Sequence, residues 1–351
     1  MTTLPREDDV HRIVDALVQQ VPELGGDGGS LLLAGQPLVT DRSILYPLGP
    51  ASADPRYMVK VVIPGDRPPD GELPLSAAEQ FTALDRAYRW FEDEDAHGVA
   101  RPVALLEELD ALAMAFVPGP SVARALQRAR RDPAAAHRAA AAAGDFLRRM
   151  HRHARVPDAD VDLADLVEEL LAIETSVLRP AGLRLPPSVR RALDAVPRIR
   201  LTRPQVLLHG DFVGVNLVLT GPDEVTMLDP SLVTVGLPEE DAARFLNLLA
   251  TDSAFIPGAV QSSVRRLRHD LDRTFRAAYD PETTEPSTTA VLLELRLLRQ
   301  YALRWCRRRQ LSRLAGHAAL MWGRRAVIDL HMRSLVLESG RRLEELVSAV
   351  R

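Results

Sequence analysis

Val206-Leu-Leu-His-Gly-Asp-Phe-Val-Gly-Val-Asn-Leu-Val-Leu-Thr-Gly-Pro-Asp-Glu-Val-Thr-Met-Leu-Asp-Pro230 is the stretch around which the rest of the chain is read. Its apolar start, Val206 to Leu208, delivers His209-Gly210-Asp211 to a loop. Two short β-rich runs follow, Leu217 to Leu219 and Val225 to Leu228, joined by the turn residues Gly221-Pro222-Asp223. Paired antiparallel, these runs set Asn216 opposite Asp229, and facing residues have Cα atoms roughly 4.5–5.5 Å apart. A carboxylate and an amide oxygen at that separation can share one divalent cation, with Asp211 facing the same opening. The stretch predicts a metal site with a spare acid beside it.

The chain has 351 residues, 46% of them hydrophobic, which gives roughly two domains with apolar content for real cores. A net charge of −4 offers no general case for nucleic acid. No apolar run approaches the roughly 20 residues of a membrane span, and the first residues carry no apolar signal region. Cys306 is the single cysteine, so a disulfide within the chain or a cysteine-based metal site is excluded. The expectation is a cytoplasmic protein. Two scarcities are more telling. Of 44 basic side chains only Lys60 is lysine, and asparagine stands only at Asn216 and Asn247. A compact ammonium does work that a guanidinium fork does not, so a lysine kept against such a bias points to chemistry.

Val10, Ile13, Val14, Leu17, Val18 and Val21 have the spacing of an amphipathic helix. Gly25 to Ser30 is a connector, and Tyr57 to Ile63 is the clearest strand, with Lys60 at its middle. Pro64 to Ser76 reads as a loop. Ser76 then caps a helix over Ala77 to Phe91 with Glu79 at N3, the spacing of a capping box. Val103 to Leu106 and Leu112 to Phe116 predict a hairpin, and Val117-Pro118-Gly119-Pro120 breaks the chain. Beyond it come helical segments over Val122 to Arg131, Pro133 to His153, Leu163 to Leu178 and Glu239 to Leu249, with four more to Val350. The predicted fold is α+β, with a small β-rich lobe over 1–116, a hinge near 114–120, and a large mainly α-helical lobe over 117–351.

Phosphoryl transfer asks for a lysine on nucleotide phosphates, Mg²⁺ held by an Asp and an Asn, and an Asp that orients or deprotonates the acceptor hydroxyl. In protein kinases the catalytic Asp precedes the Asn by five residues, the metal-binding Asp follows, and the lysine lies on a strand of the small lobe. Here the order is Lys60 on a strand, Glu79 on the next helix, Asp211, Asn216 five residues on, and Asp229.

With these parts in order, the chain resembles the aminoglycoside phosphotransferase and choline kinase-like family of small-molecule kinases. The resemblance is densest in His209 to Asn216 and Val225 to Asp229, and extends to Gly236-Leu237-Pro238-Glu239-Glu240-Asp241-Ala242-Ala243. Weaker matches are Met114 to Pro120 at the interlobe hinge and Leu147-Arg148-Arg149-Met150-His151. The resemblance implies a protein-kinase-like two-lobed fold and transfer of phosphate from ATP (or GTP), with Mg²⁺, to a hydroxyl of an aminoglycoside-like antibiotic, a sugar or an amino alcohol. It further implies that Lys60 holds the α/β-phosphates and pairs with Glu79, that Asp211 is the catalytic base, and that Asn216 and Asp229 hold the metal. His209 would orient the catalytic loop, backbone groups of Ala113, Ala115 and Phe116 would meet the adenine, and Asp241 would bond the loop backbone. The chain departs from the family pattern at Val213-Gly214 and at Pro230, and it has no clear Gly-rich phosphate loop before Lys60, the best candidate being Leu48-Gly49-Pro50-Ala51-Ser52. The alternative is a nucleotide-binding pseudokinase acting as sensor or scaffold.

Two charge patterns bear on the acceptor. Asp158 to Glu174 holds seven acids and no base, as a cleft for a polycation or a solvated helix face would. Arg299 to Arg325 holds eight arginines and no acid, suited to an anion, a membrane surface or an acidic partner, or simply to solvent. They point to opposite acceptors.

Overall fold

Alternating faces in Tyr57-Met-Val-Lys-Val-Val62 organise the first part of the molecule. In the computed structural model, which describes residues 7–24, 31–40, 42–50, 54–63, 75–94, 96–259, 261–281, 287–314 and 318–350, the chain forms two compact units. The first comprises Met1–Gly119 and Val218–Val233, and the second Pro120–Leu217 and Thr234–Arg351.

The first unit runs α1 (Glu7–Gln20), β1 (Leu31–Leu33), β2 (Leu38–Val39), β3 (Ser43–Pro50), β4 (Tyr57–Val62), α2 (Ala77–Phe91), β5 (Gly98–Val99), β6 (Pro102–Leu106) and β7 (Ala111–Ala115). Its main sheet has the order β1-β3-β4-β7-β6, with β2 on β3, and every neighbouring pair is antiparallel. Side chains of a strand alternate between faces. Val59, with Tyr57 and Val61, therefore packs against Ile13 and Leu17 of α1, while Lys60 faces the other way. Lys60 sits mid-sheet, its Cα paired with Leu45 on one side and Leu112 on the other. Ser76 and Glu79 form the predicted capping box at the start of α2, and Asp110 adds its carboxylate to the Ala77 N–H.

The second unit carries α3 (Val122–Gln127), α4 (Pro133–His153), β8 (Arg155–Asp162), α5 (Leu163–Ile173), α6 (Pro187–Asp194) and β9 (Arg200–Leu207). The hairpin β10 (Leu217–Leu219) and β11 (Val225–Met227) follows, then β12 (Val235–Gly236), α7 (Glu239–Thr251), α8 (Ser262–Tyr279), α9 (Thr288–Leu314) and α10 (Ala318–Val350). β11 pairs in parallel with β5, which explains why Val218–Val233 belongs with the first unit. β8, β9 and β12 form a separate small sheet. The start of the acidic stretch is thus an edge strand rather than a helix face: the polar run from Arg155 to Asp162 is held extended by its ladder with β9. Local pattern does not announce such a strand, because its stabilisation comes from a partner forty residues on.

Phe146 of α4, Phe212, Phe245 of α7, and Phe275 and Tyr279 of α8 stack in sequence, with centroids 4.4 to 6.3 Å apart. α4 and α8 approach closely at Gly144, where a Cβ would lie 2.5 Å from the Phe275 carbonyl oxygen. Backbone cannot yield as a flexible side chain does. Gly144→Ala is expected to destabilise the second unit by about 1–3 kcal/mol, as overpacking does, measured as a lowered midpoint in urea with an unchanged slope.

Candidate active site

The residues singled out in the sequence fall into two groups, one in each unit. In the first unit the Lys60 ammonium donates to Oδ2 of Asp229 at 2.5 Å, across 169 residues of sequence. Lys60 is 9% exposed. Asp229 arrives there because β11 is zipped to β5: Thr226 and Met227 pair with Gly98 and Val99, and Ala100 donates its N–H to the Met227 carbonyl. The buried His97 fixes the start of the same strand by accepting the Val225 N–H at Nδ1. Two residues past β11, Asp229 adopts φ +54°, a left-handed conformation that aspartate tolerates better than bulky residues do. Leu232 is also left-handed, at φ +48°. Such strain concentrates where surrounding structure fixes a functional geometry.

Glu79 does not join this pair. Its Oε2 accepts from both the N–H and the hydroxyl of Ser76, so its carboxylate serves the cap of α2. The physical reason is proximity: a carboxylate at N3 reaches its own N-cap within one turn. Ala113 lies within the sheet, while the N–H groups of Ala115 and Phe116 donate to the Arg101 and Arg56 carbonyls. These two donors are committed to the fold. The candidate phosphate loop runs into residues 51–53, outside the described residues, as does the loop over residues 64–74.

In the second unit the loop after β9 is built on one buried acid. Asp241, at the start of α7, accepts the His209 N–H at 2.8 Å and the Gly210 N–H at 3.1 Å, and faces His151 Nε2 at 3.3 Å. Burial pushes the Asp241 carboxyl up, but the hydrogen bond and charge of His151, helped by His209, outweigh it and leave the group below the usual carboxylate range. His151, from the Leu147 to His151 motif, also meets the Tyr279 hydroxyl. His209 is fully buried, accepts the Asp211 N–H at Nδ1 and meets the Phe212 ring edge-on. It anchors the loop rather than facing solvent. Gly210 turns the chain at φ +80°.

Asp211 thereby emerges with an exposed side chain. Asn216 closes the loop by donating Nδ2 to both the Asp211 carbonyl and its Oδ2, at 3.0 and 3.1 Å. The Asp-to-Asn spacing of five is therefore a closed loop, steadied further where Gly214 accepts the Ala123 N–H at 2.8 Å. A Cβ at Gly214 would come within 2.9 Å of that nitrogen. Arg244 of α7 is a member that sequence reasoning missed. Its guanidinium lies 3.6 Å from Asp211 Oδ1. The signal was available, since Arg244 is three residues after Asp241 and so shares its side of α7.

Among the described residues no group of three or more His, Cys, Asp and Glu side chains could hold a metal alone. Asn216 and Asp229 offer hard oxygen donors, one amide and one carboxylate. Each is a donor type that Mg²⁺ takes, since that ion is usually held by one or two carboxylates with the remaining ligands from water and substrate phosphates.

Residues 53–274 match the model of the phosphotransferase enzyme family, and the chain belongs to that family. The family makes it a phosphotransferase. In fold it is similar to a choline/ethanolamine kinase family protein from Mesorhizobium loti, with 15% identity over 97% of this chain and 99% of that one and a TM-score of 0.55. A protein assigned as an aminoglycoside phosphotransferase from Ralstonia eutropha is similar at 15% identity, covering 95% and 98%, with a TM-score of 0.55. Glucosamine kinase, solved with glucosamine, ADP and inorganic phosphate, is similar at 18% identity over 95% and 83%, with a TM-score of 0.50. These likenesses show the kinase-like fold. No curated protein matches the sequence significantly. Among the described residues no helix is long and apolar enough to cross a membrane.

Asp241→Ala strands the His209 and Gly210 N–H groups and is expected to cost about 1–3 kcal/mol for each orphaned donor. The folded state favours the ionised Asp241, so its contribution is full above the unfolded value of 3.8 and is lost as pH falls below it toward the depressed folded value. Urea midpoints between pH 7 and pH 2.5 should fall more steeply for the wild type than for Asp241→Asn.

Proposed function

We infer that this protein transfers the terminal phosphate of ATP or GTP to a hydroxyl group of a small molecule, with Mg²⁺. The observation that carries the reading is the pairing of Lys60, the only lysine, with Asp229. A desolvated ammonium on a sheet, beside a carboxylate after a two-residue parallel pairing, is the arrangement that nucleotide phosphates and a divalent cation call for.

In this reading Lys60 holds the phosphates as a point charge, and Asp229 and Asn216 supply oxygen ligands to the cation. Bound there, Mg²⁺ neutralises charge that develops on the transferring group. Asp211 accepts or orients the proton of the acceptor hydroxyl, and its exposure leaves it open to an incoming molecule. Arg244 and the Asn216 amide hold that carboxylate from two sides, which keeps it aimed. His209 and Asp241 position the loop. Backbone groups near Ala113, Ala115 and Phe116 contribute the contact to the base, with the N–H groups of the last two excluded as donors by their sheet bonds. Small acceptors are favoured because only six residues separate Asp229 from Gly236, too few for a peptide-docking segment. The family and the glucosamine kinase likeness support a hydroxylated acceptor of this size.

Transfer of labelled γ-phosphate to a broad panel of hydroxylated compounds tests the reading. Asp211→Ala should lower transfer by roughly 10²–10⁴-fold while nucleotide binding survives; equal turnover would sink the mechanism. Lys60→Ala should weaken nucleotide binding, read by calorimetry, and unchanged affinity would remove Lys60 from the phosphates.

A further inference from the structure

Among the described residues, two cavities of the second unit stand out. The larger, about 1090 Å³, is lined by α8, α9 and α10, and its buried charges are matched: Arg268 with Glu338, Arg276 with Asp272, and Glu294 with Ser339 and Arg276. The smaller, about 330 Å³, is lined by Gln127, by Val213 to Val215 of the loop after β9, by Phe245 of α7 and Asp252 just past its end, and by Arg304 and Arg308 of α9. It adjoins the catalytic machinery by sequence on two sides: Val213 follows Asp211 by two residues, and Phe245 follows Arg244, which touches Asp211. Its volume is at the small end of ligand pockets, about 300–1,000 Å³.

The charges here are not matched. Arg308 spends one N–H on the Thr251 carbonyl, at 2.8 Å; Asp252 acts on its charge from beyond ion-pair distance, and burial outweighs that attraction and leaves the guanidinium below its ordinary value. Arg304 has no hydrogen-bond partner among them, and its Nε is buried. The sole acid of the lining, Asp252, is engaged through both oxygens, by the Gln127 amide and the Ala254 N–H. Burial, with Arg308 and Arg307 nearby, pulls the Arg304 guanidinium below its ordinary value. Half-buried cations without counterions are costly unless something supplies the missing charge. Other arginines of α9 do have acids: Arg296 and Arg299 hold Glu169, and Arg309 holds Asp329.

We propose that this pocket receives the acceptor by an anionic group, a carboxylate or a phosphate ester, read by Arg304 and Arg308, so that the protein phosphorylates anionic hydroxylated molecules. The assignment rests on the phosphotransferase reading above and deepens it. Guanidinium forks match both oxyanion types bidentately. Much of the acidic stretch is committed to the fold. Glu174 is buried on Arg190, Glu169 lies between Arg296 and Arg299, Asp162 caps α5, and Asp160 accepts from Thr202.

The test titrates inorganic phosphate and acetate against the full chain by calorimetry. Phosphate binding should survive Lys60→Gln and Arg341→Gln, which remove a cation of the nucleotide end and of the larger cavity, and should weaken at least tenfold in Arg304→Gln/Arg308→Gln. Arg304→Lys/Arg308→Lys, which keeps both charges, should bind within a few-fold of wild type, separating lost charge from lost fold. Absence of phosphate binding, or its loss in Lys60→Gln with retention in the double Gln variant, overturns the assignment. In a panel of hydroxylated metabolites sorted by charge, anionic members should be preferred, the preferred headgroup telling carboxylate from phosphate ester. That preference should collapse at least tenfold in the double Gln variant. Preference for neutral or cationic acceptors overturns the assignment and leaves the kinase reading standing. No transfer to any member, with phosphate still held by the arginines, overturns the kinase reading instead, and the acceptor assignment falls with it.

Discussion

A single buried carboxylate, Asp241, sets the terms for the loop from His209 to Asn216. Left alone in an apolar interior it would give up its charge. It keeps the charge because two backbone N–H groups and one imidazole converge on it. Those same partners are why the loop has one conformation. His209 and Gly210 cannot move without stranding buried donors, and His151 is itself held by Tyr279 at the end of the aromatic stack. Phe212, inserted between Phe146 and Phe245, locks the next residue but one. A buried anchor beneath an exposed tip lets Asp211 be both solvent-accessible and well placed, which a surface loop alone would not achieve.

The first unit solves the converse problem, a cation in the middle of a sheet. Lys60 loses most of its water and recovers a charged partner in Asp229, which costs strain in a left-handed backbone. The partner reaches it through β-pairing: β11 joins β5, β5 leads into β6, and β6 joins β7 beside β4. Ion pair and sheet topology therefore stand or fall together.

Much of this was legible because certain residues break a rule. A lysine in an arginine-rich chain, an asparagine in one nearly without them, and an acid five residues before it are visible without coordinates. So were the elements with strong periodicity, such as the helices from Ala77 and Pro133 and the strand around Lys60. Glu79 shows the limit. Two readings competed, a helix cap and a partner for Lys60, and only the cap was determined by local spacing; the other depended on a register between strand and helix that no short pattern carries. The strand from Arg155 and the pairing of β11 with β5 were hidden for the same reason, since their stabilisation comes from distant chain. Arg244 was overlooked although helical spacing placed it beside Asp241.

The acidic and basic stretches make the last point, because as compositions they contradict each other and as structure they do not. Glu169 of α5 sits between Arg296 and Arg299 of α9, so part of each pattern exists to neutralise the other. Counting charge along a sequence cannot separate cations that already have counterions from those that lack them. Only Coulombic matching in space does so, and on α9 it divides the arginines within a few turns. Arg296, Arg299 and Arg309 secure the fold, whereas Arg304 and Arg308 carry unspent charge into a pocket beside Gly214 and Val215. The phosphotransfer machinery lies in short motifs, but the features that discriminate among acceptors sit on a helix added after them.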